Sequence, residues 1–411
     1  MVDPLKYPRL RQPVEVRLEK IQGQEVLVLR CPLGVSPIPL VLVPAVAPVI
    51  ANFDGKTSVE EISERLSQYG ATLDLVQKLV GIIDENCFLE SPRFYEAARR
   101  LNEEFTNSNL RAATLAGHGY ATEAAALAAE LSGYFSLTGD GIPQNGKLLA
   151  LIAPHIDYRR GHLCYARTYK QLLSEPDTLC IVLGTSHQYS RNLFHLTRKN
   201  FACPLGDFQC DREFVDRLAA GYGEKRSFAD EILHRREHAI ELQLPFLRHT
   251  LNPSRMVGIL VGSCAAMYQA GADPALYEPY ESFVQVMVQL VQERQQAGER
   301  VLFIAGVDMA HLGRAFGDKG ALDAGILAQA ETRDRQYMNL IAAGDPALLA
   351  AHIAEDGDQR RVCGFPTIYT LLDVLKRLGL RCRTEVFDYS QAVDYPNDCA
   401  VTCAGIGMYT S

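Results

Sequence analysis

The chain has 411 residues, 47% hydrophobic and 22% charged, enough for two to four domains with buried cores. Its formal net charge of −8 leaves no basic footprint for nucleic acid or an anionic membrane surface. No apolar run approaches the ~18 residues of a spanning helix. The opening MVDPLKYPRLRQ lacks the apolar core of a secretory signal, and the eleven cysteines are scattered without a CxxC, so a cytoplasmic, reduced protein is expected.

In chain order, VEVRLEKI and EVLVLRC flank Gly23 and predict a hairpin. Ser58 and Glu61 then have capping-box spacing ahead of the stripe Val59, Ile62 and Leu66. A second helix is expected from Thr72, with Leu73, Val76, Leu79, Val80 and Ile83 on one side, ending at ENCFLESP. Strands, two short helices and an extended piece predict a small winged-helix-like α+β domain over residues 1–95. Residues 1–100 hold 12 Lys and Arg against 13 Asp and Glu, which favours peptide or intramolecular packing over DNA. Residues 96–144 are Ala-rich and read as a helical linker leading into the large domain. From 145 to 411 the pattern becomes α/β. Strands are expected at 148–153, 179–183, 257–261 and 301–305, with helices at 164–174 and 280–297 between them. Three strands run into APHID, GTSHQ and GVDMAH, the look of the carboxyl edge of a parallel sheet, where ligands bind.

His155 and His187 each follow a predicted strand. On neighbouring strands they would share a crevice and begin a transition-metal site; taken singly, either could simply bond a loop backbone. Asp308 and His311 occupy a third strand end, where the carboxylate can orient an acid/base imidazole or cap the next helix. RREHAIELQLPFL supplies Glu237, His238 and Glu241, and with His234 it contains H-x-x-E-H, the inverted zinc-peptidase spacing. Cys363 stands before Gly364 and an apolar helix, a place for a thiolate nucleophile, a soft metal ligand or a buried small side chain.

RAATLAGHGY (111–120), APHIDYRRG (153–161), LGTSH (183–187), EHAIELQLPFL (237–247), DMAH (308–311) and CGFPTIYTLL (363–372) together resemble the Memo family, over about residues 111–409. That family is the B component of a bacterial system pairing it with an AMMECR-like and a radical-SAM protein, which the resemblance makes candidate partners. Its fold is similar to LigB-type class III extradiol dioxygenases, implying a mostly parallel sheet flanked by helices. The resemblance implies His155, His187 and Cys363 as metal ligands, His311 as acid/base residue with Asp308 beside it, and Glu237 and His238 behind the ligands. The pattern DGKTSVEEIS…LVQKLVGIIDENCFLES resembles the PqqD-like peptide-recognition domain. The chain departs from the Memo pattern at Asp157, Arg159 and Arg160, where a Gly is usual, and at AGHGY, where an aromatic AGSWY is typical. Asp157, Tyr158, Arg159 and Arg160 are therefore the candidate substrate contacts.

Two imidazoles and a thiolate leave a divalent metal with open positions, which suits Fe(II), with Zn or Cu as further fits. The leading expectation is a non-haem iron oxidoreductase of dioxygenase type acting on a small molecule or modified peptide. The alternatives are a non-catalytic module binding peptides or phosphopeptides through Arg159 and Arg160, and a zinc peptidase using His234 and His238.

Overall fold

The computed structural model describes residues 3–139, 146–172, 178–188, 190, 192–253, 255–263 and 277–410. The chain divides into two compact units, Met1–Ser108 and Asn109–Ser411. Among the described residues no helix is long and apolar enough to cross a membrane.

In the first unit the expected hairpin forms between β1 (Glu15–Ile21) and β2 (Gln24–Arg30). Its turn residues Gln22 and Gly23 both have positive φ, 51° and 81°, the geometry that matches strand twist in a two-residue turn. A third strand, β3 (Leu40–Leu42), adds to β2, making a three-stranded sheet. Helix α1 (Val59–Arg65) starts on the expected capping box: Glu61 N–H donates to Ser58 Oγ at 3.2 Å, and Ser58 N–H to Glu61 Oε2 at 2.8 Å. Helix α2 (Leu73–Glu85) is capped by Thr72. Ile62, Val76, Val80 and Ile83 bury against Leu27 and Leu29 of the sheet, so the apolar stripes read from the sequence form this core, except for Leu73, which is exposed. Ser91 caps α3 (Pro92–Asn107), which closes the unit.

In the second unit helix α4 (Ala124–Ser136) precedes the sheet. The strands β4 (Leu148–Ala153), β5 (Leu179–Thr185), β7 (Arg255–Val261) and β8 (Val301–Gly306) fall where expected, β6 being Phe194–Leu196. These four form the parallel centre, in the order β4-β8-β5-β7. Helix α5 (Tyr158–Tyr169) begins six residues before the expected 164, because Asp157 caps it; the end of that expectation, 173–174, lies outside the described residues. Helices α6 (Arg212–Tyr222), α7 (His238–Glu241), α8 (Leu244–Thr250), α9 (Glu278–Gln296), α10 (Ala324–Ala343), α11 (Pro346–Glu355) and α12 (Phe365–Arg377) complete the layers.

The sheet is mixed where the sequence suggested mostly parallel. β6 pairs antiparallel with β7, and β9 (His311–Leu312), β10 (Cys382–Asp394) and β11 (Cys399–Thr410) add antiparallel pairs beyond β4. β11 is hard to read because its strand formers Val401, Thr402, Ile406, Tyr409 and Thr410 are interrupted by Ala, Cys and Gly. Its glycines serve close packing instead: a Cβ at Gly405 would sit 1.9 Å from Thr168 Oγ1 of α5.

Candidate metal centre

Four segments converge at the carboxyl ends of the parallel strands. His155 follows β4 and is 1% exposed. Its backbone N–H donates to Asp308 Oδ1 at 2.9 Å, and its Nδ1 lies 3.0 Å from Gly306 O. A carbonyl only accepts, so Nδ1 carries the proton and Nε2 keeps its lone pair. That Nε2 lies 3.3 Å from Cys363 Sγ and 3.7 Å from Asp308 Oδ2.

His187 and His238 share one anchor, Glu237. The carboxylate caps α7, with Oε1 accepting from His238 N–H at 2.8 Å and Ala239 N–H at 3.1 Å. The same oxygen meets His187 Nδ1 at 3.0 Å and His238 Nδ1 at 3.1 Å, while Oε2 accepts His187 N–H at 2.9 Å. Both imidazoles therefore present Nε2 away from Glu237. The rings of His187 and His238 stack at 4.6 Å, and His155 approaches them at 4.8 and 5.1 Å. One ligand atom from each of His155, His187 and His238 lies within 4.8 Å of the others. Three imidazole lone pairs in that space, with a thiol beside one of them, fit a divalent transition metal.

The charges in the site are consistent with that fit. Burial pushes the Glu237 carboxyl up, but His187 and His238 outweigh it and hold it well below the usual carboxylate range. Burial lowers His238, and Glu237 more than restores it, leaving it above an ordinary imidazole. His155 is held well below the usual range by burial and then by His187 and His238, so its imidazole is neutral. Burial pushes Asp308 up to about 6, and burial with Asp308 pushes the Cys363 thiol well up. Without a cation the Cys363 thiol keeps its proton, and a divalent ion would displace it.

The structure gathers most of the expected residues and re-sorts a few. His238, expected behind the ligands, stands in the imidazole group itself. His311 lies outside that group; its Nδ1 is 3.1 Å from both Met309 O and Arg361 O, and burial lowers it to about 4. His234 does not join His238: it sits in a 3₁₀ turn, Glu231–Arg235, and its Nε2 meets His195 O at 2.9 Å. H-x-x-E-H here is not one helical turn. Asp157 accepts from Arg160 N–H and pairs with Arg160 Nε at 2.6 Å. Tyr158 is 1% exposed, with its hydroxyl donating to Leu242 O, so it is a core residue. Arg159 and Arg160 are exposed.

Sequence reading missed the role of Arg111 and Glu241, a buried ion pair. Arg111 also donates to Glu237 O at 2.8 Å and His234 O at 2.9 Å, while Tyr120 and Leu115 N–H donate to Glu241 at 2.7 Å. The motif RAATLAGHGY thus braces the turn that carries Glu237 and His238. Arg111 opening one matched motif and Glu241 within another were the available signal.

Residues 111–407 match the family model described as Memo-like protein. The chain is 24% identical over 385 residues to a MEMO1 family protein of Aquifex aeolicus, covering 93% of this chain and 96% of that protein. It is 27% identical over 281 residues to the protein memo-1 homolog of Caenorhabditis elegans, covering 66% of this chain and 72% of that one. A MEMO1 family protein of Methanosarcina barkeri is 25% identical over 253 residues, covering 61% and 82%.

Proposed function

The chain belongs to the Memo-like protein family, and from that premise we propose that it is a metal-dependent oxidoreductase of dioxygenase type. Iron(II) is the proposed metal, held by His155, His187 and Cys363, with His238 beside them. The observation that carries this reading is the convergence of His155, His187 and His238, with Cys363 Sγ 3.3 Å from His155 Nε2. Bound iron(II) would supply redox chemistry with dioxygen toward a small molecule or modified peptide.

The chain's own groups divide the remaining work. Gly306 O fixes the His155 tautomer, and Glu237 fixes those of His187 and His238. His238, raised by Glu237 and 37% exposed in its side chain, is placed to carry a proton between the site and solvent. His311, kept neutral by burial, is the proton acceptor toward substrate, and Asp308 holds the His155 backbone in place.

The test is metal analysis of anaerobically purified protein, followed by oxygen uptake with catecholic and peptide substrates. Stoichiometric iron lost on His155→Ala is expected, and wild type that binds no metal sinks the proposal. Zinc or copper in its place would redirect the chemistry to hydrolysis or another redox reaction. A second reading rests on exposed Arg159 and Arg160 in the first turn of α5: an anion-binding module for phosphorylated peptide. Phosphopeptide binding that survives chelation and Cys363→Ser, and fails on Arg159→Ala, would favour it. For the first unit we propose a winged-helix peptide-recognition role, supported by its three-stranded sheet packed on two helices.

A further inference from the structure

Asp334 lies in the middle of α10, outside the metal centre, and is 0% exposed. Its carboxylate is nevertheless shared between the segment carrying Asp308 and His311 and the loop that leads to Cys363. Oδ2 accepts from Thr402 Oγ1 at 2.6 Å and Tyr389 OH at 3.1 Å. Thr402 Oγ1 in turn accepts from Ala310 N–H at 2.9 Å. The Thr402 backbone brackets the same stretch: Met309 N–H donates to Thr402 O at 2.7 Å, and Thr402 N–H to Ala310 O at 2.9 Å. This fixes residues 308–311, with Asp308 and His311 at its ends.

Oδ1 accepts from Arg360 Nη1 at 2.7 Å. The Arg360 guanidinium makes two further contacts: Nη2 donates to His352 Nε2 at 3.2 Å and Nε to Asp356 Oδ2 at 3.3 Å. Arg360 O receives His311 N–H at 2.7 Å, and Arg361 Nη1 donates to His311 O at 3.1 Å. The loop leading to Cys363 carries two residues in the left-handed region, Asp358 at φ 56° and Arg361 at φ 52°. Non-glycine residues hold that conformation only where surrounding contacts enforce it.

We propose that Asp334, with Arg360 and Thr402, is a positioning group that sets residues 308–311 against the Cys363 loop. One carboxylate reaches one segment through a hydroxyl and the other through a guanidinium, so the spacing between Asp308, His311 and Cys363 is set from behind. This deepens the metal-centre reading and rests on it for the meaning of that spacing. The positional coupling itself is a property of the protein without metal.

The test uses full-length, metal-free protein carrying Asp334→Asn or the milder Thr402→Val. Amide hydrogen exchange at Ala310 and His311 and the alkylation rate of Cys363 are compared with exchange at Val257 and Ile259 in β7. Asp334→Asn should speed exchange at 310 and 311 and alkylation of Cys363 at least tenfold, leaving β7 unchanged. Thr402→Val should speed 310 and 311 while sparing Cys363, and Thr402→Ser should restore wild-type behaviour. In chelator competition with Zn²⁺, Asp334→Asn should bind ten- to a hundredfold more weakly. Uniform acceleration that includes β7, or no change at either segment, overturns the proposal. If wild type binds no metal, the metal reading fails, while exchange and alkylation still decide the coupling.

Discussion

The two sides of the candidate metal centre hold the histidines in and beside it by opposite means. His187 and His238 lean on a carboxylate, Glu237, while His155 and His311 lean on backbone carbonyls of residues 306, 309 and 361. All four keep a proton on Nδ1, so orientation is the same. The electrostatics are not: His238 is raised, whereas His155 and His311 are lowered. A neutral acceptor can aim an imidazole without paying back its desolvation, whereas a charged one does both. The carboxylate-held side therefore favours a charged imidazole at His238, and the carbonyl-held side favours neutral ones at His155 and His311.

The largest expected effect comes from removing the support beneath the charged half. Glu241→Ala strands Arg111 in the core, and urea unfolding should show a loss of about 3–5 kcal/mol. A loss under about 1 kcal/mol would mean that charge does not hold that half together. Gly306→Ala attacks the seam between halves, because its Cβ would fall 2.3 Å from Ala239 O of α7. About 1–3 kcal/mol should be lost, together with weaker Zn²⁺ binding.

A pH experiment separates the halves directly. His311 sits near 4 through burial, whereas an unfolded histidine titrates near 6.5. Between pH 7 and 5 the unfolded chain gains a proton that the native state refuses, so stability falls on acidification. The His311 share is about 2 kcal/mol. His311→Gln should remove that share from the difference between pH 7 and pH 5 urea midpoints; an unchanged difference contradicts the neutral assignment. His238 has the opposite sign: its contribution is complete below the unfolded value and is lost as pH rises through its raised folded value.

The smallest effect marks the far edge of the same sheet. There a cavity of about 650 Å³ is lined by Leu372, Leu375, Met408 and the exposed pair Lys376–Asp345 at 3.2 Å. Lys376→Ala should cost under about 0.5 kcal/mol and leave Zn²⁺ affinity unchanged. A measurable loss of affinity would show that the two edges are coupled.

Much of this was legible in the chain. The parallel strands were readable because both faces are buried, so each is a continuous apolar run ending abruptly in polar residues. That punctuation put His155, His187 and Asp308 at strand ends before any contact was known. The antiparallel strands were not readable: Cys382–Asp394 is half-buried along its length, and Cys399–Thr410 is rich in small residues chosen for close approach. The resemblance put His238 behind the ligands, whereas the structure groups its imidazole with those of His155 and His187.

The sequence by itself determined the family, the strand ends and the inventory of imidazoles, thiol and carboxylates, since these follow from local pattern and residue chemistry. Only the tertiary structure decided which imidazoles meet, that Glu237 serves two of them, and that Arg111, Glu241, Asp334 and Arg360 are buried pairs behind the site. A charged residue reads as surface until its partner is known. Those partners lie 130 and 26 residues apart, beyond the reach of any local pattern.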